Sequence, residues 1–135
     1  LAEREYYSQD AAEVFRINEI GDGDMDVIEI LKALSDENRL RILNLLNHGE
    51  LCVCDIERIT QLSQSNLSKH LNKLRMTGLI KAKKRAQWVF YSLNEDCFLQ
   101  YSFLKALFNV DIQQVRHYEK DIAAKNAIED LTCGV

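Results

Sequence analysis

The sequence predicts a mainly α-helical domain with one small β-hairpin, arranged as a helix-turn-helix followed by a wing. Three observations carry that expectation. Leu67, Leu71 and Leu74 recur at helical spacing behind a Ser63 cap, after a short apolar segment and a three-residue turn. Leu79 to Lys83 and Trp88 to Leu93 hold strand-forming residues around the basic tip Lys84-Arg85-Ala86-Gln87. From Arg58 to Asn94 there is no Asp or Glu, while eight Lys or Arg fall in the same window.

The remaining elements follow in order. With no proline in the chain, glycines and caps must punctuate it. Ala2 to about Asn18 reads as a helix, and Gly21-Asp22-Gly23-Asp24 as a linker. Met25 to Leu34 reads as a helix whose Val27, Ile28, Leu31 and Leu34 form one buried stripe. Ser35-Asp36 caps a third helix carrying Leu40, Leu43 and Leu46, closed by His48-Gly49. Val53 to Ile59 is the first helix of the helix-turn-helix, Thr60-Gln61-Leu62 the turn, and Gln64 to Thr77 the second helix, stopped by Gly78. Asp96 to Phe108 and Asp111 to Ala127 complete the helices, and a polar tail carries Cys133.

A net charge of −4 would disfavour nucleic acid if it were spread evenly. It is concentrated outside the 58–94 window, which leaves a basic face on an acidic body, the footprint of a DNA binder. If the three leucines face the core, the other side of that helix presents Gln64, Ser65, Ser68, Lys69, Asn72 and Lys73. Short polar groups at a helix N-terminus reach base edges and phosphates. His70 lies beside Leu71, either touching backbone or partly packed. Lys83, Lys84 and Arg85 belong over phosphates or in a minor groove. Taken one at a time, these features are also those of a solvated helix and a lysine-rich turn; their alignment with an acid-free window decides for DNA.

No apolar run is long enough to span a bilayer and no signal-peptide pattern opens the chain, so a cytoplasmic protein without a membrane partner is expected. Leu1 in place of Met leaves room for native N-terminal residues missing or replaced. In a reducing compartment the four cysteines read as ligands, sensors or core fillers. Cys52 and Cys54 stand two apart where the helix-turn-helix begins, and thiolates suit As(III), Cd(II), Pb(II) or Zn(II). On an ideal helix two such side chains point about 200° apart, so one ion could take both only by unwinding that turn.

Ala33-Leu34-Ser35-Asp36-Glu37-Asn38-Arg39-Leu40-Arg41-Ile42-Leu43 resembles the opening signature of the ArsR/SmtB family of winged-helix metalloregulatory repressors. Glu50-Leu51-Cys52-Val53-Cys54-Asp55 is similar to the metal-binding box of its arsenite- and cadmium-responsive branch, and Ser63 to Leu74 to its recognition helix. The resemblance spans about residues 25–108. It implies a homodimer on palindromic double-stranded operator DNA, released when a thiophilic ion binds, with As(III) first in line. It implies dimer contacts from the first and last helices, where the aromatic-rich stretch from Phe98 to Phe108 falls. The chain then divides into an N-terminal arm and linker (1–24), the winged-helix DNA-binding and dimerisation domain (25–108), and a C-terminal helix and tail (109–135).

The sequence departs from that pattern at the third ligand, where Glu57 stands in place of a cysteine. As(III) prefers three sulfurs, so the third must come from Cys133, Cys97, an exogenous thiol or absent N-terminal residues. Metal ligands are therefore expected at Cys52, Cys54 and Cys133, with no organic cofactor. A winged-helix repressor sensing oxidants or persulfide through the same thiols is the alternative. A thiol enzyme lacks its companions here: no βαβ pattern, nucleotide loop or nucleophile-base pairing accompanies the cysteines.

Overall fold

The computed structural model describes residues 26–128. The expected helix at 2–18, the 21–24 linker and Cys133 lie outside them. Seven helices and three short strands are laid out as α1 (Val27–Leu34), α2 (Glu37–Asn47), β1 (Leu51–Cys52), α3 (Val53–Thr60), α4 (Gln64–Met76), β2 (Ile80–Arg85), β3 (Trp88–Leu93), α5 (Glu95–Gln100), α6 (Ser102–Asn109) and α7 (Tyr118–Ala127) among the described residues. No described helix is long and apolar enough to cross a membrane.

Short polar caps set the helix starts. Asp26, Asp36 and Ser63 each sit in extended backbone, and each side chain accepts from the N–H two or three residues on: Ile28, Arg39 and Asn66. Helix α4 ends at Gly78, whose φ of 83° only glycine adopts freely. The Asn94 side chain donates to the Gly78 carbonyl at 2.8 Å, and the Asn94 N–H to the Leu79 carbonyl at 2.9 Å. The end of α4 is thereby tied to the exit of the hairpin.

The sheet is antiparallel in the order β1-β3-β2. The hairpin differs from expectation in length: Lys84 pairs with Val89 and Arg85 with Trp88, leaving only Ala86 and Gln87 to turn the chain. The third strand was not anticipated. It is two residues long, and it carries Cys52 opposite Phe90.

The expected stripe of α1 is corrected. Ile30, Ala33 and Leu34 are buried, whereas Val27, Ile28 and Leu31 are 37%, 52% and 48% exposed. The segment Val-Ile-Glu-Ile-Leu-Lys-Ala-Leu is apolar on two faces, so periodicity alone could not choose the inner one. The expected helix from Asp96 to Phe108 is broken at Tyr101, in extended backbone. A continuous helix would hold residues 98 and 108 about 15 Å apart along its axis. The break brings the Phe98 and Phe108 rings to 5.8 Å between centroids, sealing the core beside Leu104. The final helix begins later than expected, at Tyr118, after a 3-10 turn at Asp111–Gln114.

Helix α7 lies against α2 and α3. Arg41 of α2 donates from Nε and Nη2 to the two Asp121 carboxylate oxygens at 2.8 and 2.9 Å, and from Nη2 to the Thr60 carbonyl at 3.2 Å. That bidentate pair is buried at both ends. The hydrogen bond to Asp121 holds the Arg41 pKa above its ordinary value, against the opposing effect of burial.

Candidate effector site and nucleic-acid interface

Cys52 is both the last residue of β1 and the N-cap of α3, with φ −78° and ψ 158°. Extended backbone there removes the geometric conflict expected from an ideal helix. The Cys52 and Cys54 sulfurs and an Asp55 carboxylate oxygen all lie within 4.8 Å of one another, and all three residues are buried. Tetrahedral sulfur ligands at about 2.3 Å from a metal stand about 3.8 Å apart, so a modest contraction would bring these donors onto one ion. Two sulfurs and one oxygen match the chemistry of Zn(II), Cd(II) or Pb(II).

Asp55 was not singled out as a candidate donor, although it closes the quoted hexapeptide; an acidic residue in a helix's first turn reads first as a cap or dipole partner. Its Oδ1 also lies 3.6 Å from Arg58 Nη1. Cys97 does not join this cluster. It is fully buried in α5, and burial pushes its thiol pKa up to about 11. Cys133 lies outside the described residues. Cys52 and Cys97 are both in the thiol form.

Helix α4 buries Leu67, Leu71 and Leu74 and leaves Gln64, Ser65 and Lys69 exposed, with Ser68, Asn72 and Lys73 half-buried beside them. Its first turn has no acidic residue, so an anion meets no like-charge opposition there. Lys73 lies 3.7 Å from Glu29 of α1. On the wing, alternation puts Lys81, Lys83 and Arg85 on one face of β2, with Lys84 on the other. Lys69, Lys81, Lys83 and Lys84 form no ion pair among the described residues, which leaves their charge available to phosphate. Lys81 was not singled out in the sequence, and the register is what groups it with the others.

His70 is placed differently from its neighbours on α4. Its Nδ1 lies 3.4 Å from Arg39 Nη1 and 3.9 Å from Asp36 Oδ1, joining the reading helix to the start of α2. Burial lowers its pKa from 6.5, reinforced by Arg39 and opposed by Asp36. Between that lowered value and 6.5 the unfolded chain binds a proton that the folded chain refuses, so stability falls as pH drops through the window. The melting temperature of His70→Gln should decline less below pH 6.5 than that of the unaltered protein; parallel declines would contradict this assignment.

The family model described as "Bacterial regulatory protein, arsR family" matches residues 36–82. The arsenical resistance operon repressor of Staphylococcus xylosus is 38% identical over 97 residues, 72% of this chain and 86% of that protein. This chain belongs to the arsR family. Within it, the chain is 42% identical over 73 residues to a Staphylococcus aureus "Cadmium resistance transcriptional regulatory protein CadC homolog", covering 53% of this chain and 60% of that protein. The match thus spans under two-thirds of that relative. Among solved structures, HlyU from Vibrio cholerae superimposes with a TM-score of 0.55 at 37% identity, over 67% of this chain and 90% of HlyU. The homodimeric winged helix-turn-helix DNA-binding domain of Mb0332 from Mycobacterium bovis gives 0.54 at 27% identity, over 68% and 86%. The fold of this chain is the winged helix of its arsR-family relatives.

Proposed function

We propose that this chain is a transcriptional repressor that binds operator DNA as a homodimer and lets go when a thiophilic ion occupies Cys52 and Cys54. The convergence of those two sulfurs with Asp55 carries the proposal. Contraction of the cluster re-aims the first turn of α3, the helix that positions α4 in the major groove. A coupling of about 1–3 kcal/mol is enough for useful release. Relatives named for arsenical and cadmium resistance support the same reading. As(III) takes a third sulfur, from Cys133, Cys97, an exogenous thiol or further N-terminal residues, whereas a divalent ion can use Asp55. In both cases the ion acts as effector, with no organic cofactor.

Gln64, Ser65 and Ser68 are proposed to face base edges, and Lys69, Lys73, Lys83, Lys84 and Arg85 phosphates. His70 would hold α4 in place from behind. The exposed Leu31 of α1, with Phe103 and Leu107 of α6, borders an apolar groove of about 500 Å³, and these residues are proposed as the dimer face together with the exposed Ile28. Residues 25–108 then form the DNA-binding and dimerisation unit, followed by the C-terminal helix and tail, 109–135. A cytoplasmic location accords with a DNA partner.

Duplexes enriched from a random pool by the reduced, metal-free protein supply the operator. Arsenite or Cd(II) should then release them, and equal retention by loaded and empty protein would end the metal reading. Lys84→Gln should weaken binding by about three- to tenfold on every duplex and flatten the salt slope by about one. An unchanged slope would remove Lys84 from the interface. The closeness of the Cys52 and Cys54 sulfurs also supports a second reading, a thiol-redox or persulfide switch at the same residues. Mass spectrometry after peroxide or polysulfide treatment separates the two: a new sulfur link accompanied by loss of DNA would favour the redox form.

A further inference from the structure

Arg85 closes β2 opposite Trp88. Its Nη1 donates to Glu50 Oε1 at 2.6 Å, and its guanidinium lies over the Phe90 ring, 4.7 Å from the centroid. Glu50 immediately precedes β1, and Cys52 of β1 stands opposite Phe90 in register. One carboxylate, adjacent to the thiol-bearing strand, therefore pairs directly with a wing arginine. Lys81, Lys83 and Lys84 have no such acidic partner among the described residues.

We propose that Glu50 is a positioning residue that competes with DNA phosphate for Arg85 and passes the state of the Cys52–Cys54 pair to the wing. The proposal rests on the DNA-binding and thiol-ligand readings above. A guanidinium N–H committed to a carboxylate is not available at full strength to a phosphate oxygen. Both side chains are partly exposed, at 49% and 32%, so the pair can exchange with a competing anion. Strand β1 has only two residues, so a shift of the Cys52 backbone on ion capture is passed through Leu51 to Glu50, the residue that precedes the strand. Holding Arg85 more firmly in the loaded state withdraws a phosphate contact while the thiols are occupied.

Glu50→Gln tests this in the reduced full chain. Without metal it should bind the enriched duplex roughly three- to tenfold more tightly, with a salt slope steeper by about one. That gain should vanish when Arg85→Gln is also present, since the effect acts through Arg85 and not through the lost charge alone. Unchanged affinity, or a gain that survives Arg85→Gln, overturns the proposal. Trp88 is the chain's single tryptophan and pairs with Arg85, so its emission reports on the wing without DNA. Cd(II) should change that emission in the unaltered protein and by less than a quarter as much in Glu50→Gln, at equal sulfur-to-cadmium absorbance. An undiminished change in the variant, or sulfur-bound Cd(II) with silent Trp88 in the unaltered protein, also overturns it. Absent sulfur-to-cadmium absorbance instead marks failure of the metal reading, and the metal-free DNA comparison then decides the role of Glu50.

Discussion

Asp121→Ala is expected to destabilise the protein by about 3–5 kcal/mol, because it strands the Arg41 guanidinium in a buried site. For a chain of this size that is a fall in melting temperature of roughly 10–20 °C. The Asp121 oxygens take two of the three contacts of that guanidinium with α7 and α3, and the Thr60 carbonyl alone cannot neutralise its charge. Replacing both partners with apolar residues, as Arg41→Met with Asp121→Leu, should recover most of the loss, since the pair's own desolvation cost disappears with it. Urea unfolding of the two single variants and the double variant checks the point. A single variant costing under about 1 kcal/mol would show the clamp to be ornamental.

Cys54→Ser is expected to weaken Cd(II) binding by roughly a hundredfold or more, a hydroxyl being a poor substitute for a soft thiolate. Cys52→Ser should match it. Operator binding by the metal-free variants should stay within about threefold of the unaltered protein, because neither residue belongs to the DNA-facing surface. Both positions are buried, so unfolding curves must accompany the titrations; a buried hydroxyl itself costs about 1–3 kcal/mol. Asp55→Asn sorts the ions. It should weaken Cd(II) by roughly tenfold and leave arsenite response intact if arsenite is held by three sulfurs. A variant lacking both thiols that still releases DNA on exposure to either ion would refute the site.

The reading helix was legible because three leucines, one serine cap and one glycine stop all agree on the same span, and Leu67, Leu71 and Leu74 are buried as expected. Helix α1 shows the limit of that method. A segment apolar on two faces satisfies more than one packing, and which face turns inward depends on α2, a neighbour that periodicity does not see. The break at Tyr101 is similar: no proline or glycine announces it, and it is imposed by bringing Phe98 onto Phe108. At the thiol site the sequence singled out Cys52 and Cys54 as candidate ligands, and it did not show their geometry. A two-residue strand has no sequence signature, yet it changes Cys52 from a helical position to an extended one and lets its sulfur meet that of Cys54. Asp55 enters as a donor only through that geometry. The Glu50–Arg85 pair joins positions 35 residues apart and follows from sheet register alone.

Cys97 supplies a built-in clock. With its sulfur enclosed by the core and its proton held up to about pH 11, only roughly one molecule in ten thousand carries the reactive anion there at neutral pH. A thiol reagent must wait for the surrounding helices to part before it can label that position. The pace of labelling at Cys97 therefore counts openings of the structure around α5, and a ligand that stabilises that region will slow it.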